Sequence, residues 1–221
     1  MKRTTKINLA LIGTLVAAAT VAAVVLVGPA APQADPAEVT VVAENSHRLD
    51  TAPDGSVVFT EFLDFECESC AAVHPVVEEL RDTHAGEVTF VTRYFPLPGH
   101  ANSMNAAIAV EAAAEQGRFE AMYQRMFETQ AEWGEQQESK ADVFRGYAED
   151  LGLDMEQYDH AVGDPSTEAR VQQDFDAGMA LGVEATPTIF LGDEPLELST
   201  PDELRQAVRD AVDEDQGRAR Y

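Results

Sequence analysis

The chain has 221 residues, 45% of them hydrophobic and 25% charged, enough for one globular domain of moderate size with length to spare. Fifteen lysines and arginines stand against 40 aspartates and glutamates, a formal net charge of −25, and all of the acid lies beyond Gly28. So acidic a surface argues against nucleic acid or an anionic membrane as partner, and two cysteines are too few for a disulfide-stapled scaffold or a four-ligand zinc ribbon.

Residues 1–6 form a short basic head carrying Lys2, Arg3 and Lys6, and residues 7–27 follow without one charged side chain. At about 1.5 Å per residue, a helix of that length crosses about 30 Å of hydrocarbon, so the run predicts a transmembrane anchor. The basic head stays on the cytoplasmic side, which puts everything beyond Val27 outside the cell membrane. A cleaved signal peptide, leaving a secreted protein, is the alternative, although its apolar region usually has only about 7–15 residues. No cysteine lies near residue 28, which excludes a lipoprotein. Residues 28–38 are rich in proline and alanine and read as a semi-stiff spacer.

Residues 39–43 and 47–49 make a short lead-in, Pro53-Asp54-Gly55 signals a turn, and 57–62 is a β-branched, aromatic strand whose apolar run continues to Phe65. Residues 67–83 read as a helix with Ala71, Ala72, Val76, Val77 and Leu80 on its apolar face and Pro75 inside it, where a kink is expected. A second strand covers 88–95, and Pro96-Leu97-Pro98-Gly99 breaks the chain. From 100 to 181 no strand is expected, only helical pieces near 102–116, 119–129, 141–151, 155–162 and 167–181. Trp133 and the cluster Phe119, Met122, Tyr123, Met126 and Phe127 read as core, and His100 as a turn or capping residue. Residues 188–191 form a short strand that Gly192-Asp193 turns towards a partner at 195–198. Thr200-Pro201-Asp202-Glu203 opens a last helix to about 212, with Thr as cap, Pro first and Glu third, and an acidic tail, whose last residues are 216–221, closes the chain.

The only cysteines, Cys67 and Cys70, are spaced Cys-x-x-Cys at the strand-to-helix junction. Buried packing is the bland reading of free cysteines, and His74 could add a third soft ligand for copper or zinc. Against packing stands the oxidising compartment beyond the membrane, where neighbouring thiols do not stay idle. The loop such a pair closes is also too short to serve stability, and the first thiolate meets the partial positive charge of a helix N-terminus. The pair therefore reads as redox-active. Glu61 shares a strand face with Phe59, Leu63 and Phe65, which puts a carboxylate in an apolar row and should raise its pKa.

The stretch Phe62-Leu63-Asp64-Phe65-Glu66-Cys67-Glu68-Ser69-Cys70, followed by Arg93-Tyr94-Phe95-Pro96-Leu97 and Thr186-Pro187-Thr188, resembles the thioredoxin-fold disulfide oxidoreductases, most closely their DsbA-like, membrane-tethered bacterial branch. That resemblance implies an α/β fold, a thioredoxin fold over 39–99 and 183–215 with an inserted α-helical domain over 100–182, preceded by the N-terminal transmembrane helix. It implies that Cys67 is the exposed attacking thiolate and Cys70 the buried resolving one. It further implies that Glu61 is a buried proton relay, that Pro187 is a cis-proline pairing with substrate backbone, and that Thr186 leans towards the sulfurs. The strong oxidants of the group carry Pro-His between the cysteines, where this chain has Glu68-Ser69. With Glu61 and Glu66 near, like-charge repulsion predicts a less stabilised thiolate and a weaker oxidant. The function expected is disulfide donation to reduced secreted or cell-envelope proteins, with reoxidation by a membrane quinone-linked partner and no metal or organic cofactor. The same machinery run backwards, as a reductase or isomerase, and a non-catalytic client-binding module are the alternatives.

Overall fold

The structure, a computed structural model, describes residues 39–53, 57–197 and 200–218. The expected head, anchor and spacer lie outside the described residues, among which no helix is long and apolar enough to cross a membrane. The description below concerns the compact unit Asp35–Tyr221.

Five strands build one sheet in the order β1-β3-β2-β4-β5: β1 (His47–Asp50), β2 (Val57–Leu63), β3 (Val88–Tyr94), β4 (Thr188–Leu191) and β5 (Glu194–Pro195). β2 and β3 are parallel, which requires a crossover, and α1 (Glu68–Thr83) supplies it, running unbroken through Pro75. β1 is antiparallel to β3, and β4 is antiparallel to both β2 and β5. Gly192, at φ +61°, opens a two-residue turn that sets Glu194 opposite Leu191. The partner of β4 therefore begins earlier than the expected residue 195.

Between β3 and β4 lie α2 (Ser103–Ala114), α3 (Phe119–Glu128), α4 (Gln130–Trp133), α5 (Ala141–Asp150), α6 (Met155–Gly163) and α7 (Pro165–Ala180). α4 was not expected, because a four-residue turn is too short to show an apolar period. α8 (Pro201–Arg218) closes the chain. Its entry is a reciprocal cap, the Thr200 amide donating to Glu203 Oε2 (3.0 Å) and the Glu203 amide to Thr200 Oγ1 (3.3 Å). The helix outruns the expected end near 212 and takes in most of the expected tail. The apolar stripe stops at the last buried residue, Val212, whereas backbone hydrogen bonding continues without it.

One sheet face packs Val57, Phe59, Val88, Phe90 and Ile189 under Val76, Val77 and Leu80 of α1 and Leu204 and Val208 of α8. Elsewhere in the sheet, Phe62 and Phe190 pack with Phe95 from beyond β3 and Val183 from beyond α7. A third cluster joins the helical block to Leu63, Phe65, Tyr94 and both cysteines. α7 approaches closely enough that a Cβ on Gly178 would stand 2.7 Å from the Phe95 ring.

Candidate active site

Cys67 is the N-cap residue of α1, with extended backbone angles (φ −73°, ψ 122°) that set its side chain at the open end of the helix. Amides in a first helical turn lack intrahelical acceptors, and those of Ser69 and Cys70 favour the Cys67 thiolate. The Cys67 thiol is drawn down to about 5, first by the hydrogen bond from Cys70, against the opposing effect of burial, with Thr186 and the two amides adding to it. Cys70 behaves oppositely. It is fully buried, and burial first, then Cys67 and the charge of Glu61, push its thiol well above the ordinary value. Both are free thiols in this structure.

The expectation that Cys67 is exposed needs correcting: only 7% of it is reachable. The Thr186 carbonyl, 119 residues away in sequence, lies over the sulfur and accepts its S–H at 3.4 Å. The Thr186 hydroxyl is buried with no partner while Cys67 is a thiol, and it favours the thiolate, to which it can donate. The Thr186–Pro187 peptide is cis. Beside it runs a groove of about 360 Å³ lined by Ser69, Val73, Val76, Pro187, Ile189 and Leu204.

Glu61 sits in the middle of β2, between Thr92 of β3 and Ile189 of β4, and is 3% exposed. Burial, then the charges of Cys67 and Glu78, raise its pKa to about 8. The acid crowding expected around Cys67 therefore falls mainly on Glu61, which holds its proton at neutral pH. Glu66 is turned inward, its Oε2 accepting the Asn102 amide at 2.6 Å, and its backbone carbonyl takes the Gln130 side-chain N–H at 2.9 Å. The hydrogen bond from Cys70 first, then Thr186 and the amides at the helix start, lower the Cys67 pKa, where the count of acids alone predicts the opposite.

His74 does not join the cysteines. Its Nδ1 meets the Tyr123 hydroxyl at 3.2 Å and its Nε2 the Gln124 Oε1 at 3.1 Å, with its ring stacked on Phe127. Among the described residues no three of His, Cys, Asp and Glu are grouped as a metal ion would need. Four residues near the pair escaped the sequence reading: Asp64, Asn102, Gln130 and the pairing of His100. His100 Nδ1 stands 2.6 Å from the buried Asp64 Oδ2. Nothing in the local pattern links positions 64 and 100, although two buried acids flanking Phe65 were a signal that they needed partners.

A family model described as "Thioredoxin" matches residues 51–210. Curated relatives include the Na(+)/H(+) antiporter NhaA 1 of Mycolicibacterium gilvum, 37% identical over 144 residues, which are 63% of this chain and 22% of that protein. Another is NhaA 3 of Salinispora tropica, 37% identical over 139 residues, 62% of this chain and 20% of that protein. The chain thus spans about a fifth of the length of these relatives, whose named activity belongs to proteins extending far beyond the matched stretch. A thioredoxin-like oxidoreductase from Silicibacter pomeroyi superimposes with a TM-score of 0.65 at 26% identity, covering 81% of this chain and 96% of that one. α-DsbA1 of Wolbachia pipientis gives 0.68 at 15% identity, over 80% and 96%. BdbD of Bacillus subtilis gives 0.65 at 19%, over 74% and 91%. The chain belongs to the thioredoxin family, and its fold is the DsbA-like form of it.

Proposed function

We propose that the chain is an extracytoplasmic thiol–disulfide oxidoreductase that donates a Cys67–Cys70 disulfide to reduced secreted or cell-envelope proteins. The observation that carries this reading is the asymmetry of the two thiols, Cys67 drawn down to about 5 at a helix N-terminus and Cys70 pushed well up behind it. A stable thiolate is a good leaving group and favours the reduced pair, so the oxidised pair tends to pass its disulfide on.

In the proposed cycle a client thiolate attacks the Cys67 sulfur and the Cys67–Cys70 bond breaks. Cys70 leaves with the bonding electrons and takes a proton, for which Glu61, protonated up to about pH 8, is the donor. A second client thiolate then attacks the client sulfur of the mixed disulfide, and Cys67 leaves as thiolate. The client loses two electrons and the cysteine pair gains them, so neither metal nor organic cofactor is needed. Thr186 and cis-Pro187, with the apolar groove beside them, would hold the client's extended backbone. A membrane-bound, quinone-linked protein is the proposed acceptor of the two electrons, and the apolar run at 7–27 the proposed anchor.

The decisive experiment combines a glutathione redox equilibrium with oxidative refolding of a reduced test protein, for the native protein and for Cys67→Ser. The reading expects fast refolding and a potential between about −270 mV, that of thioredoxin, and about −120 mV, that of DsbA, with all exchange lost in Cys67→Ser. A potential near or below −270 mV without oxidative refolding would turn the assignment to a reductase. Retained exchange in Cys67→Ser would sink it.

A further inference from the structure

The entrance to the cysteine pair is tied together by a carboxylate that the exchange cycle does not use. Asp64 is 1% exposed. Its Oδ1 accepts the Glu66 amide at 2.9 Å, and its Oδ2 accepts the Leu97 amide at 3.0 Å and faces His100 Nδ1 at 2.6 Å. Its backbone carbonyl accepts the Cys67 amide at 3.1 Å. One residue thus fixes the turn that presents Cys67 and aims an imidazole from the loop after β3. Facing a carboxylate, Nδ1 of His100 carries hydrogen in the neutral and the charged ring alike.

A quarter of the His100 side chain remains in solvent (25%), and its electrostatic neighbours are acids on three sides. Asp64, Glu66 and Cys67 face it from the loop before α1, Glu68 from the first turn of α1, and Glu135 from beyond α4. On the remaining side, Met104 of α2 and Gln172 and Phe175 of α7 carry no charge. Burial works against a charge on His100, but its bond to Asp64 and the fields of Asp64, Cys67 and Glu66 outweigh that and raise its pKa.

We infer that His100, aimed by Asp64, is a positioning residue that supplies the positive charge balancing the Cys67 thiolate in an otherwise acidic entrance. This rests on the exchange reading of Cys67. The interaction is reciprocal: whatever the Cys67 charge does to His100, the His100 charge does to the thiolate. It adds to the hydrogen bonds from Cys70, Thr186 and the helix amides, which act more strongly on Cys67. Those bonds do not titrate near neutral pH, whereas the support from His100 fades as pH rises through its own pKa.

The test follows thiolate absorbance against pH, and the glutathione equilibrium at pH 7, for the native protein, His100→Gln and His100→Arg. His100→Gln is expected to raise the Cys67 pKa by about 0.5–1 and to shift the equilibrium about three- to tenfold, or about 15–30 mV towards a weaker oxidant. His100→Arg, which restores a charge, should recover most of that shift. Should the variants fold poorly, NMR titration of His100 in the native protein and in Cys67→Ala reads the same coupling from the other side, with a lower His100 pKa expected once the thiolate is gone. A folded His100→Gln with unchanged Cys67 pKa and potential, or a His100 pKa indifferent to Cys67→Ala, overturns the inference while leaving the exchange reading intact. A native protein that exchanges no disulfides overturns both.

Discussion

Two carboxylates lie sealed inside the same compact unit and are treated in opposite ways. Asp174 of α7, fully buried, meets Arg93 of β3 through Nε at 2.8 Å and a terminal nitrogen at 2.7 Å, and accepts the Tyr94 amide at 3.2 Å. Arg170, one helical turn earlier, comes within 2.9 Å as an ion pair rather than an aligned hydrogen bond. Glu61 of β2 is 3% exposed, and every influence on its proton, burial first and then Cys67 and Glu78, acts to keep it. A buried charge matched by cations can bind one element to another, here the helical block to the sheet. A buried carboxylate without such a match becomes a proton holder near working pH, which suits the proton transfer proposed for the two thiols beside it. One region holds its charge in place, and the other holds a proton it can release.

The largest expected effect breaks the matched site. Asp174→Ala leaves two guanidiniums facing each other in the seam and should cost about 5 kcal/mol, the upper end for breaking a buried pair, read from urea unfolding. The Cys67 pKa should stay near 5 in that variant, because the seam is not among the groups that set it. A shifted Cys67 pKa would show that the two regions are coupled.

The next prediction concerns the unmatched site. The folded pKa of Glu61, about 8, lies above its unfolded value near 4.5, so the folded chain binds the extra proton between those limits. Its contribution to stability is complete below about pH 4.5 and is lost as pH rises through about 8, a fall on the order of 5 kcal/mol. Glu61→Gln should remove that part of the slope, and unfolding curves of the two proteins at pH 5, 7 and 9 measure the difference. Parallel curves would mean that Glu61 is not the proton holder described.

A smaller effect probes how closely the seam is packed. Gly178→Ala places a methyl 2.7 Å from Phe95 and 3.1 Å from Phe62, and Phe95 is already stacked on Phe175 at 4.6 Å. Overpacking of that kind should cost about 1–3 kcal/mol in the same unfolding assay, without altering the pH slope due to Glu61.

Much of this division is readable along the chain. The strand–Cys-x-x-Cys–helix junction, the helical block, the Thr-Pro before a short strand and the Thr200–Glu203 cap lie within single elements or short turns, where period and turn chemistry act. Glu61 is legible for the same reason: alternation along β2 puts it in line with Phe59 and Leu63, whatever the strand packs against. The four-residue α4 and the continuation of α8 past Val212 are not legible, since apolar period reports only the buried face. Asp174 and Arg93 are 81 positions apart, and no local rule pairs them.

The sequence by itself singled out the candidate site residues and the elements that present them, because both follow from interactions over a few neighbouring positions. Tertiary structure alone decided how they behave. It laid the Thr186 carbonyl over Cys67, turned Glu66 onto Asn102, gave His100 to Asp64 and matched Asp174 with Arg93. A group's proton affinity depends on its burial and on the charges and donors around it, and those are brought together only when distant segments fold against one another.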